Sequence, residues 1–183
     1  NIPNYQNITA LDSSAGYGNF LKQNFFKRQI AGDVDKVALS ILQNNIQADV
    51  FERNALQNIS RTNYNIAANE KLLIIGNPPY IELTYSFYTK EQVKQFNKQN
   101  KDKGRGRINL IHLFFDKSFE LLNDNGVIAF LLPTTILTSP WYNDIREKIY
   151  NEYTVLDIIN KVPFKGVAVN VCLIIIQKKV DNN

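Results

Sequence analysis

The segment that most restricts this chain is Leu72-Leu73-Ile74-Ile75-Gly76, followed at once by Asn77-Pro78-Pro79-Tyr80. An unbroken apolar run of this length, ended by glycine and prolines, reads as a strand covered on both faces. The two prolines then make a rigid corner. Each holds φ at about −65° and lacks an N–H. Asn77 and Pro78 each precede a proline, which biases both toward extended geometry. The corner therefore presents backbone carbonyls, one carboxamide and one aromatic ring at the end of a buried-type strand. Those groups suit a planar amine, with acceptors for its N–H groups and a π face beside it. A lone Pro-Pro pair more often marks a plain strand end and turn. A second motif upstream raises this one to a candidate site.

That motif is Ala10-Leu11-Asp12-Ser13-Ser14-Ala15-Gly16-Tyr17-Gly18-Asn19-Phe20-Leu21. It reads as a short strand, a loop of small residues, and a helix from about Asn19. Gly16 and Gly18 permit positive φ and close approach of backbone to a ligand. The loop N–H groups and the helix N-terminus would face the carboxyl end of the strand, where open α/β sheets bind ligands. Further on, Gln29-Ile30-Ala31-Gly32-Asp33-Val34-Asp35 reads as a second strand ending in acid. Acid at that place takes the ribose hydroxyls of a nucleoside. The spacing fits a βαβ unit holding an adenosine-containing cofactor. No GxxxxGK[ST] phosphate loop is present, which argues against a nucleoside triphosphate.

Taken together, DSSAGYGNF, GDVD and NPPY resemble the N6-adenine DNA methyltransferases that use S-adenosylmethionine, in their gamma motif order, as found in restriction–modification systems. The resemblance covers nearly the whole chain. It implies that Asp12, Gly16 and Gly18 form the cofactor loop, that Asp33 is the ribose-binding acid, and that Asn54 lies near the cofactor's adenine. Asn77, Pro78, Pro79 and Tyr80 fall on the catalytic motif. Gly106 to Phe114 resembles the helix start that follows it, and Val127 to Thr135 the next strand and turn. Val162-Pro163-Phe164-Lys165-Gly166 resembles the late motif whose Phe stacks on the target base. Three positions depart from the pattern: Ser13 stands for the usual Pro, Tyr17 for Ser or Thr, and Asn54 for Asp. The first two alter loop stiffness and bulk. The third removes a charge and keeps an acceptor.

The chain has 183 residues, enough for one domain with a full core, and a formal net charge of +4 that suits a polyanionic partner. Its single cysteine, Cys172, lies in an apolar run and reads as a buried strand residue. No Pro-Cys pair is present, so the thiol chemistry of cytosine-C5 methylation is not supported. One Cys and one His make no zinc constellation, and no metal is expected. No disulfide can form within the chain, which fits a reducing cytoplasm. No apolar run reaches membrane-spanning length. There is no methionine, and only about ten residues precede the glycine loop, where the family usually has a further cofactor-binding segment. The expectation is a piece of something longer: a catalytic domain over residues 1–183. Heavy use of Asn, Ile and Lys suggests an AT-rich bacterial genome.

Strand patterns fall near 8–11, 29–33, 48–52, 71–76, 126–132, 154–159 and 170–177, and helix patterns near 19–27, 35–46, 108–123 and 141–151. The alternation predicts a doubly wound, Rossmann-like sheet, mostly parallel, with helices on both faces and an antiparallel edge made by the last strands. Residues 84–107 fit no compact element. They carry Lys90, Lys94, Lys98, Lys101, Lys103, Arg105 and Arg107, with aromatic residues interleaved. One reading is a solvated helix and loop. The other, favoured by its position after the corner, is a mobile loop meeting DNA phosphates through Lys98, Lys101, Lys103 and Arg105. His112, on an apolar helix face, reads as a packed or capping residue.

The resemblance implies base flipping, with Tyr80 on one face of the extruded adenine and Phe164 on the other. It also implies double-stranded DNA as partner, with the target-recognition region or specificity subunit outside this chain. Other readings stay open: a protein-glutamine or RNA-adenine methyltransferase, or a non-catalytic DNA-binding or assembly module on the same fold.

Overall fold

The computed structural model describes residues 7–57, 59–81, 89–102, 109–162 and 170–180. Seven strands form one sheet in the order β3-β2-β1-β4-β5-β7-β6. They are β1 (Thr9–Asp12), β2 (Arg28–Asp33), β3 (Asp49–Glu52), β4 (Leu72–Gly76), β5 (Val127–Pro133), β6 (Tyr153–Val162) and β7 (Val171–Lys178). The first five pair in parallel, and β7 pairs antiparallel with both β5 and β6. All seven strands expected from the sequence are present. β5 is buried along its whole length, as a strand with covered faces must be. At the edge, Val155, Leu156, Ile158 and Ile159 of β6 are exposed, and bulges interrupt its pairing.

Helices lie on both faces. On one, α1 (Lys36–Asn45) brings Leu42 against Ala10 and Ala31 of the sheet. On the other, α3 (Leu110–Leu121) and α4 (Asn143–Glu152) pack Ile111, Phe115, Ile145 and Ile149 against Leu11, Ile74, Ile128 and Cys172. Side-chain caps start two of these helices. Asp35 accepts from the Val37 N–H at 2.8 Å, and Asn109 from the Ile111 N–H at 3.0 Å. Cys172 is fully buried, as expected.

Two expectations need correction. No helix follows the glycine loop. Residues 13–23 run as successive turns, with Gly18 N–H donating to Ala15 O and Leu21 N–H to Gly18 O. Leu21 drops into the gap beneath α1, and the Gln29 side-chain amide donates to its carbonyl at 2.9 Å. That carbonyl is the one residue 25 would use in a helix. Gly18 and Asn24 are both left-handed, with φ of 74° and 45°, which breaks helical continuation on either side of Leu21. The second correction concerns the basic insert, where the helix of the solvated reading is present in a segment expected to fit no compact element. That helix is α2 (Lys90–Asp102), anchored through buried Val93.

Candidate active site

The carboxyl ends of β1 to β4 open onto one cavity of about 480 Å³. It straddles the point where the strand order reverses between β1 and β4, the usual ligand crevice of an open α/β sheet. Ser13 and Ser14 enter it after β1, Asp33 and Val34 at the end of β2, and residues 53–56 after β3. Asn77, Pro79 and Ile81 come from the corner after β4, and Leu110 and Phe114 from α3. The structure thus brings Asp33, Asn54, Asn77 and Pro79 together from three separate strand ends.

Asp33 is held by backbone. Its Oδ2 accepts the Gly16 N–H at 2.8 Å, and its Oδ1 accepts the N–H groups of Val34 and Asp35 at 2.7 and 2.9 Å. A carboxylate has about four acceptor directions, so roughly one remains for a ligand. Asn54 spends its side-chain oxygen on the Leu56 N–H at 3.0 Å, a local Asx turn. Its amide N–H groups are what remain for recognition. The wall opposite is apolar, with Ala55, Leu56, Leu110 and Phe114 forming one cluster.

Asp12 is not on the cavity surface. It is fully buried beneath the loop, and its Oδ1 accepts the Ser14 N–H at 3.2 Å. Burial pushes its carboxyl up to about 7; the Ser14 N–H opposes this and the nearby Asp33 charge adds to it. Gly18 also lies away from the cavity. A Cβ there would sit 2.8 Å from side-chain atoms of Leu42 and Ile46, so this glycine lets the loop pack onto α1. Gly16 touches the site only through its N–H to Asp33.

At the corner, Pro78 is buried and Tyr80 is turned inward. The Tyr80 hydroxyl lies 2.7 Å from the Leu131 carbonyl of β5 and in hydrogen-bond contact with Asn77 Oδ1. Burial raises its phenol pKa, with a smaller contribution from Cys172. Tyr80 therefore supports the corner from behind and does not line the cavity. Lys98 and Lys101 are exposed on α2. At about 100° per residue, Lys90, Lys94, Lys98 and Lys101 share one face of that helix. Phe164, Lys103 and Arg105 lie outside the described residues. His112 is buried, with Nε2 2.8 Å from the Trp141 carbonyl and its ring stacked on Tyr142 at 5.0 Å, the packing role its apolar surroundings suggest.

Sequence reasoning missed the cavity's apolar wall and Arg53. The pair Ala55-Leu56 directly after Asn54, and Leu110 and Phe114 four apart on α3, were the available signals. Among the described residues, no cluster of metal-ligating side chains occurs.

The seven-stranded sheet, parallel from β1 to β5 with an antiparallel β7, and the crevice at its switch point have the α/β fold of S-adenosylmethionine-dependent methyltransferases. The fold is similar to that of a Listeria monocytogenes protein described as a class I S-adenosylmethionine-dependent methyltransferase, with TM-score 0.74 and 17% identity over all of this chain and 57% of that one. It is also similar to part of the type IIG restriction endonuclease BpuSI, with TM-score 0.71 and 20% identity over 96% of this chain and 23% of that one. The chain belongs to the Eco57I restriction-modification methylase family, whose sequence model matches residues 6–165. Modification methylase CviBIII of Paramecium bursaria Chlorella virus NC1A is 29% identical over 106 residues, 57% of this chain and 26% of that protein. The chain spans about a quarter or less of the length of the curated relatives it matches.

Proposed function

We propose that this chain is the catalytic domain of a restriction–modification DNA methyltransferase that uses S-adenosylmethionine and acts on the N6 amino group of adenine. One observation carries the reading: Asn77 lines the same cavity as Asp33 and Asn54. An amine-binding corner and a nucleoside-binding acid share one space.

The residues present fit the cofactor. The cavity has an acidic acceptor in Asp33 for ribose hydroxyls, donors in Asn54, and the flat apolar wall of Leu56 and Phe114 for an adenine ring. When bound, S-adenosylmethionine supplies a methyl group on a positively charged sulfur. The chain's own part is to hold and polarise the amine. The N6 lone pair of adenine is delocalised into the ring, so the amine is a weak nucleophile. The side-chain oxygen of Asn77 and the Pro78 carbonyl are the two acceptors for its N–H groups. Holding both pulls the nitrogen toward tetrahedral geometry and frees the lone pair. This is catalysis by positioning and preorganised dipoles.

The amine becomes reachable only when the base leaves the duplex stack. A face of the flipped base is assigned to Phe164, whereas Tyr80, packed on the core behind the corner, is assigned to supporting that corner. Stacking contacts are worth about 1–3 kcal/mol per base, comparable to the unstacking cost. The lysine face of α2 is assigned to phosphates, together with Lys103 and Arg105. Reading of the target sequence is assigned to a region or subunit outside these 183 residues, a reading supported by the greater length of the relatives.

The test is transfer of a labelled methyl group by the full-length protein to duplex DNA, to RNA and to a release-factor protein. Label in DNA, recovered as N6-methyladenine, is the expected result. Label confined to RNA or protein, or recovered as N4-methylcytosine, overturns the substrate assignment.

A further inference from the structure

The Tyr80 hydroxyl touches two oxygens: the Leu131 carbonyl at 2.7 Å and the side-chain Oδ1 of Asn77. A phenol has one proton to give. A backbone carbonyl can only accept, so Leu131 takes that proton. Asn77 Oδ1 would then set lone pairs against lone pairs, in a half-buried corner packed on the core. The two ends of a carboxamide have nearly the same shape and exchange by a half-turn. The turned amide removes this opposition. Asn77 Nδ2–H donates to the Tyr80 oxygen, Tyr80 O–H donates to Leu131 O, and Asn77 Oδ1 is left on the side away from Tyr80. Asn77 lines the cavity and Tyr80 does not.

We propose that the Tyr80 hydroxyl is a positioning group that sets which end of the Asn77 amide meets the substrate amine. This rests on Asn77 acting as an acceptor for that amine. The relay runs from β5 through Leu131 O and Tyr80 to Asn77, so the neighbouring strand orients the carboxamide. Without the hydroxyl the amide is free to turn, and its N–H groups then oppose those of the amine.

Tyr80→Phe keeps the ring and removes the relay. In the full-length enzyme, kcat should fall roughly tenfold, the worth of about one neutral hydrogen bond or slightly more. KM for DNA and cofactor affinity should stay within about twofold, because the groups that make uniform binding contacts are untouched. A second readout needs no substrate. In protein labelled with ¹⁵N-asparagine, the Asn77 side-chain NH₂, identified by its loss in Asn77→Ala, should exchange slowly with solvent in the wild type and lose that protection in Tyr80→Phe. Equal exchange in the two proteins overturns the relay. Lost protection with unchanged kcat overturns the positioning role. Should the labelled-methyl assay reject adenine as substrate, the exchange experiment still decides whether Tyr80 orients Asn77.

Discussion

Gly76 lies against the carboxylate of Asp12: a Cβ on residue 76 would sit 2.9 Å from Asp12 Oδ1. The two residues stand on neighbouring parallel strands, one leading into the glycine loop and the other into the Asn77 corner. Their contact joins the two halves of the site. Asp12 is short and buried, so it has little freedom to yield. Gly76→Ala should destabilise the fold by about 1–3 kcal/mol, as overpacking does. It should also weaken cofactor binding and turnover together, because the Ser14 turn and Asn77 both move. Unchanged stability and activity by denaturant titration and methyl transfer would show that the contact relaxes freely.

Asp12 predicts a pH dependence. Its carboxyl sits at about 7 in the folded chain against an ordinary 3.8. Between those values the unfolded chain holds fewer protons than the folded one. The folded state therefore loses stability as pH rises through that window, levelling off above about pH 7. Asp12→Asn keeps an oxygen for the Ser14 N–H and removes the ionisation. The variant should gain up to about 4 kcal/mol over wild type between about pH 4 and about pH 8. Parallel melting curves for the two proteins across that range would remove burial of the charge as the cause.

Asp33→Ala should weaken S-adenosylmethionine binding. It removes the acceptor facing the cavity and frees the Gly16, Val34 and Asp35 N–H groups it holds. Hydrogen bonds to a charged acceptor are worth about 1.5–3 kcal/mol each. Calorimetry giving wild-type affinity in a folded variant would take Asp33 out of the cofactor site.

Asn77→Ala in the full-length enzyme should abolish methyl transfer and leave cofactor affinity nearly intact. Its oxygen is assigned to the amine alone, so the loss falls on kcat. A large drop in cofactor affinity with residual turnover would place Asn77 on the cofactor instead.

Neutralising Lys98, Lys101, Lys103 and Arg105 together should weaken DNA binding for all sequences alike. Each lost phosphate contact should flatten the log–log salt dependence by about 0.9. An unchanged slope with altered sequence preference would mean that these groups read bases.

The sequence by itself determined the strands and the corner. Proline geometry and unbroken apolar runs act over a few residues, so Leu72 to Tyr80 announce a buried strand ending in a rigid turn wherever they occur. The acid ending β2 was legible for the same reason, and so was the packed state of Cys172 and His112. Only the tertiary structure decided what meets what. Gly18, legible as a glycine able to take positive φ, serves α1 because Leu42 and Ile46 happen to lie above it. The helix expected at 19–27 is missing because Gln29, on the next strand, takes the Leu21 carbonyl. Leu110 and Phe114 wall the cavity from a helix far along the chain. Tyr80 points inward because Leu131 on β5 offers its hydroxyl an acceptor. Local backbone preference is written residue by residue, whereas close approach, burial and hydrogen-bond partners exist only once distant segments have been brought together.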